Sequence, residues 1–227
     1  MRRVARAAVL FALWAGSAGA WPHVGAELAV QHARESSGGS FDPVGFPISG
    51  AGALTVRWPA LSRLDLTTGI GYEDRGTRDR LTVTIQPGGT FSVDSQNQWR
   101  SIVVPIHASI PVRGGLRLEA GPEWRWLLQS RTRPVGESPA FVFSQPPALS
   151  SSSTIFESAS RWTDTTQGFD RSSFALSLGL AFGFDALGGA ARAGLRYCEL
   201  LGNQRRPNDF EVESRFRQYQ LVLGWDR

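Results

Sequence analysis

A chain of 227 residues is long enough for one domain with a sizeable core, or for one small barrel with long loops. Its formal charge of +4 comes from 24 basic residues, all Arg, against 20 acidic ones; without Arg2, Arg3 and Arg6 of an expected leader, 21 face 20, so the apparent basicity gives no reason to expect a nucleic-acid partner. The single cysteine, Cys198, forbids an internal disulfide and reads as a small packing group.

Residues 1–20 read as a secretory signal peptide: a charged start, an apolar run from Ala7 to Trp14, and Ala18-Gly19-Ala20 as a cleavage site. That run is too short to span a bilayer as a helix, and residues 21–227 contain no longer one. They are expected to form one barrel domain. In the first predicted strand, residues 24–33, Ala26, Leu28 and Val30 alternate with Glu27, Ala29 and Gln31. A Ser-, Gly- and Pro-rich link over residues 34–49 leads to a second strand, 50–58, with Leu54, Val56 and Trp58 opposite Arg57. After a tight link, residues 63–73 set Leu64, Leu66, Ile70 and Tyr72 against Asp65, Gly69, Gly71 and Glu73. Residues 74–97 read as a long polar loop in which two β-rich arms flank Pro87-Gly88-Gly89, a hairpin that would project beyond the barrel.

The fourth strand, 98–110, turns Ile102, Val104, Ile106 and Ala108 outward, and Pro105 implies a bulge there. A tight turn then enters residues 115–128, GLRLEAGPEWRWLL, where Leu116, Leu118, Ala120, Pro122, Trp124, Trp126 and Leu128 oppose Arg117, Glu119, Gly121, Glu123 and Arg125. The long loop 129–171 is low in aliphatic residues and is expected to be partly disordered. Residues 173–184 set Phe174, Leu176, Leu178, Leu180, Phe182 and Phe184 against Ser, Ala and Gly alone. Residues 190–200 alternate Arg192, Gly194, Arg196 and Cys198 with Ala191, Ala193, Leu195, Tyr197 and Glu199, and after a polar link, 215–226 place Tyr219, Leu221, Leu223 and Trp225 on one face.

A wet sheet face carries long polar side chains, whereas the crowded inside of a narrow barrel needs small residues and compact charge networks. The apolar face must then point outward. The expected fold is an all-β, eight-stranded antiparallel up-and-down transmembrane β-barrel. Links alternate long and short along the chain, as tight periplasmic turns and longer extracellular loops do. The aromatic residues sort into two expected interface girdles: Tyr72, Trp99, Trp124, Trp126 and Phe174 near the long links, and Trp58, Phe184 and Trp225 near the short turns.

Five stretches resemble the PorT-like outer-membrane β-barrel domains: GYEDRGTR (71–78), WRSIVVPIHASIPV (99–112), LEAGPEWRWLL (118–128), GLAFGFD (179–185) and ARAGLRYCELLGN (191–203). The resemblance implies an eight-stranded barrel in the outer membrane of a Gram-negative-type bacterium, some of whose relatives assist secretion. This chain departs from the usual pattern by ending Trp225-Asp226-Arg227 rather than on an aromatic residue.

Glu27, Arg57, Asp65, Glu73, Arg117, Glu119, Glu123, Arg125, Arg192 and Arg196 are the candidate interior residues, expected to form mutually neutralising pairs because enclosed charges are costly unless paired. A proton or ion path through them is the sharper alternative. The only histidines after the leader are His23, His32 and His107, with no motif placing a nucleophile or orienting carboxylate beside them, so no catalytic residue, metal or cofactor is assigned. The expected role is a monomeric, non-enzymatic envelope scaffold or interaction protein whose partners are outer-membrane lipid and other envelope or secretion proteins, met through loops 74–97 and 129–171. The alternatives are a soluble periplasmic ligand-binding barrel of lipocalin-like type, which inverts every face, and a lipid-modifying outer-membrane enzyme.

Overall fold

Period-two alternation with no interposed helix leaves each apolar segment only one way to cover its greasy side, as a strand in a common sheet. The computed structural model describes residues 21–37, 41–43, 47–61, 63–85, 89–135, 161–186, 188–201 and 214–227. The strands are β1 (His23–Ser37), β2 (Phe41–Pro43), β3 (Ile48–Leu61), β4 (Leu64–Ile85), β5 (Gly89–Arg113), β6 (Leu116–Val135), β7 (Thr163–Asp164), β8 (Ser172–Ala186), β9 (Gly189–Leu201) and β10 (Ser214–Asp226). Eight of them, all but the short β2 and β7, run β4-β3-β1-β10-β9-β8-β6-β5 around the sheet, and β5 pairs back onto β4 to close it. Every pairing is antiparallel. The fold is a closed eight-stranded antiparallel up-and-down barrel.

Short turns join β3 to β4, β5 to β6 and β8 to β9 at the end where β1 starts and β10 finishes. The β5–β6 turn places Gly114 and Gly115 at φ of 60° and 83°, left-handed backbone that glycine adopts without strain. At the other end the barrel rises well above its own rim. β4 and β5 continue through residues 74–85 and 89–97 in unbroken register, from Asp74↔Arg100 to Ile85↔Gly89, so most of the expected loop 74–97 is the stem of a long hairpin. β2 flanks it on β4 and β6 flanks it on β5 as far as Val135. Arg80 donates to Asp94 across the hairpin at 2.7 Å, with Arg78 at 3.4 Å, and the Arg80 hydrogen bond holds the Asp94 carboxyl below its usual range. The expected loop 129–171 likewise opens as strand, and its last residues return as β7 and a 3-10 turn at Thr166–Gly168. The leader, residues 1–20, and the centre of that loop, 136–160, lie outside the described residues.

Faces separate as the alternation demands. Leu28, Leu178 and Leu221 are 68%, 54% and 52% exposed, whereas Ala175, Cys198 and Gln218, on the opposite face, are fully enclosed. A lipocalin-like barrel would need the reverse, and the enclosed side here carries arginines and carboxylates. Leu178, midway along β8 and outward, tests the assignment. Leu178→Arg should lower unfolding free energy in lipid bilayers by roughly 2 to 4 kcal/mol, read by urea titration in vesicles. An unchanged midpoint would place that face in water.

Candidate functional site

The lining forms three connected groups of charge. At the short-turn end Arg57 pairs with Asp226, which Arg192 also approaches at 3.7 Å. Arg192 and Arg196 donate to Glu27 at 2.9 Å and 2.6 Å, and Arg196 reaches Glu119 at 3.3 Å. On the neighbouring wall Arg117 donates to Asp65 and to Ser109 Oγ. Deeper toward the long-link end Arg125 lies between Glu123, at 2.7 Å, and Glu73, at 3.3 Å. Gln218 donates to Glu73 at 2.6 Å and Gln220 to Gln31 at 3.0 Å.

The tiny face of β8 explains how these pairs reach one another. Gly179 stands in register between Glu119 of β6 and Arg196 of β9, and a Cβ there would come within 2.9 Å of the Leu195 carbonyl oxygen. With no side chain in the way, the guanidinium passes over β8 to its carboxylate. Small residues are thus the floor beneath long, paired ones. All ten sequence-predicted interior residues take part in pairs of this kind, in three groups rather than one. Asp226 was not among them, although its i, i+2 spacing from the inward Gly224 and Gln220 is the signal that places it there.

His107, for which the sequence offers no partner, lies buried at the centre. Its Nε2 is 3.2 Å from Glu123 Oε1 and 2.8 Å from Ser177 Oγ, while the Cys198 thiol is 3.5 Å from the same carboxylate oxygen. A nucleophile relay needs serine on one ring nitrogen and the carboxylate on the other. Here both meet a single nitrogen, and Ser177 Oγ also donates to the Gly121 carbonyl at 2.9 Å. The arrangement is a polar junction tying β5, β6, β8 and β9. Among the described residues, no three His, Cys, Asp or Glu side chains are set to hold a metal ion.

Trp99 corrects the girdle. It is 1% exposed and inside the barrel, because it shares parity with the inward Ser101 and His107 rather than with Ile102. Its ring meets Phe216 edge-on at 5.0 Å and Phe169 at 6.1 Å, and the Arg75 guanidinium sits 4.6 Å from Phe216 and 5.3 Å from Trp99. Leu127, Ala175 and Leu200 complete an apolar plug across the long-link end of the lumen. Phe169 arrives from the segment after β7, where Thr165 N donates to Ser130 O and Thr166 Oγ accepts from Ser130 N, each at 2.9 Å. The other expected girdle residues lie on the outer face. Tyr72, Trp124, Trp126 and Phe174 are near the long-link rim, with Trp124 Nε1 donating to Ser172 Oγ, and Trp58, Phe184 and Trp225 are near the short turns, with Trp225 Nε1 donating to Ala186 O. Tyr197 and Tyr219, whose rings are 5.4 Å apart, extend the upper group.

Between the charge groups a cavity of about 40 Å³, lined by Glu27, Glu73, Glu123, Arg196 and Gln220 among others, has room for no more than a few waters. An apolar outer belt edged by aromatic residues and an ion-paired lumen define a membrane-spanning β-barrel. No family model matches the chain, the PorT-like one included, and no curated protein matches it. Among solved structures it is similar to neisserial surface protein A, at 14% identity over 90% of this chain and 96% of that one, with a TM-score of 0.37. It is also similar to Ail, the attachment invasion locus protein of Yersinia pestis, at 11% identity over 91% and 97%, with a TM-score of 0.38. The outer membrane protein OprG of Pseudomonas aeruginosa matches at 11% identity over 92% and 96%, with a TM-score of 0.35. Likenesses of this size carry nothing about role.

Removing one partner of a buried pair leaves an uncompensated charge. Glu27→Gln, which leaves Arg192 with only Asp226 at 3.7 Å and Arg196 with only Glu119 at 3.3 Å, should cost about 3 to 5 kcal/mol in the same urea titration. A loss below about 1 kcal/mol, as for exposed pairs, would mean that the lumen is hydrated.

Proposed function

We propose that this chain is a non-enzymatic outer-membrane protein whose barrel is an anchor and whose work is done by the sheet it raises beyond the membrane. The carrying observation is the lumen, filled by paired charges and capped by Trp99, Phe169 and Phe216. A barrel so closed offers no route for a solute. Glu123 and Ser177 meet the same nitrogen of His107 and all three side chains are buried, which supports the non-enzymatic reading.

Placement in an outer membrane is supported by the link asymmetry, by the apolar belt and by the expected leader. The long-link end then faces outside the cell. There the β4–β5 hairpin, stiffened by β2, β6 and the Arg80–Asp94 pair, is the surface offered to partners in the envelope or beyond it.

Two measurements test this. Cell fractionation should put the protein in the outer membrane, and an unboiled sample should migrate differently from a boiled one in detergent gels; a soluble periplasmic product without a shift would contradict the anchor. Reconstituted into planar bilayers, the folded protein should give no stepwise conductance. Stable open-channel steps would make it a pore.

A further inference from the structure

Outside the barrel wall, at the long-link rim, lies an open pocket of about 970 Å³. Its walls are Tyr72 and Leu128 from the lipid-facing surface, Gln129 and Arg100 just above them, and Arg171 with the Thr166–Gly168 turn across the opening. The chemistry therefore changes within one pocket, from apolar below to cationic and hydrogen-bonding above. Below it the apolar wall continues. Ile102 lies in register between Tyr72 and Trp126, a smaller side chain flanked by two large rings on the bilayer side of β5.

Two guanidinium groups face this space. Arg100 lies in register between Asp74 and Gln129, and its Nε approaches Asp74 at 3.5 Å, but that carboxylate is already held by Gln98 Nε2 at 2.9 Å and 2.8 Å. The terminal nitrogens of Arg100 donate to no described residue. Arg171 is exposed, and its side chain pairs with none of the described residues. The carboxylate on the pocket wall, Asp164, accepts from the Thr166 N–H at 2.9 Å.

We infer that this pocket binds the phosphorylated headgroup of an anionic membrane lipid, with Arg100 and Arg171 on the phosphate and an acyl chain along the Tyr72–Ile102–Trp126 row. Guanidinium forks suit phosphate oxygens. The apolar wall of Tyr72 and Leu128 and the row below it favour a lipid over a free anion, since only a lipid has a part that would lie against them. The inference goes beyond the anchoring role and rests on the barrel standing in a membrane.

The test is native mass spectrometry of the whole folded protein in a neutral detergent, titrated with phosphatidic acid or with phosphatidylcholine. One phosphatidic acid should be retained per barrel, roughly tenfold more tightly than phosphatidylcholine, the size expected for one or two charge-assisted hydrogen bonds. Arg171→Gln, at an exposed position that leaves every described contact intact, should weaken retention several-fold, and Arg100→Gln with Arg171→Gln should erase the preference. Millimolar inorganic phosphate should fail to displace the lipid. Equal retention of the two lipids, unchanged retention by Arg171→Gln, or displacement by inorganic phosphate would each overturn the inference. Every sample is run unboiled and boiled on a gel: absence of the shift would count against the membrane barrel itself, and lost lipid preference with the shift intact would count against the pocket alone.

Discussion

The pairing of β1 with β10, in register from Gly25↔Asp226 to Ser37↔Ser214, removes the two free edges that an eight-stranded sheet would otherwise present. In hydrocarbon each unpaired backbone N–H or C=O costs several kcal/mol, so a sheet can stand in a membrane only when closed. Closure at eight strands also sets the width of the lumen, and the width sets what the inward face can hold. Long side chains fit only where their neighbours are small. The row of Ser, Ala and Gly on β8 is therefore the space across which Arg196 meets Glu119, and the same strand's Leu and Phe residues form the belt outside.

Much of this was legible in the residues before any coordinates. Period-two patterning located the eight barrel strands, and parity alone assigned Glu27, Glu119, Glu123, Arg125, Arg192 and Arg196 to the inside. Partners were not legible, because they depend on the stagger between strands. Nothing in the spacing of Arg192 and Arg196 along β9 says that both converge on Glu27, two strands away across β10. Two residues were misplaced or overlooked despite a readable signal. Trp99 sits near a rim, as a girdle residue would, but its parity with Ser101 puts it inside; Asp226, two residues after the inward Gly224, belongs to the same face as that glycine.

The rim was the hardest part to read. Polar composition over residues 74–97 confines the expected hairpin to the two arms around Pro87-Gly88-Gly89, yet strand pairing needs no apolar face, and the backbone ladder with cross-strand pairs such as Arg80–Asp94 and Asn97–Asp79 extends its stem down to the barrel. A bulge at Leu128, between Arg100↔Gln129 and Ser101↔Leu127, then shifts the parity of β6 so that Ser130 faces in and can hold the segment carrying Phe169. One extra residue thus couples the plug of the lumen to the start of the raised sheet.

The most direct measurement is the depth and side of each residue along β8, by spin labels placed singly from 174 to 184 on a Cys198→Ser background and read for collision with dissolved oxygen and with a water-soluble nickel complex in bilayers. The barrel described here predicts strong oxygen collision at 176, 178 and 180, and weak collision with either agent at 175, 177, 179 and 181. Nickel collision at the even positions, or oxygen collision without a period of two, would contradict a closed barrel whose apolar face meets lipid.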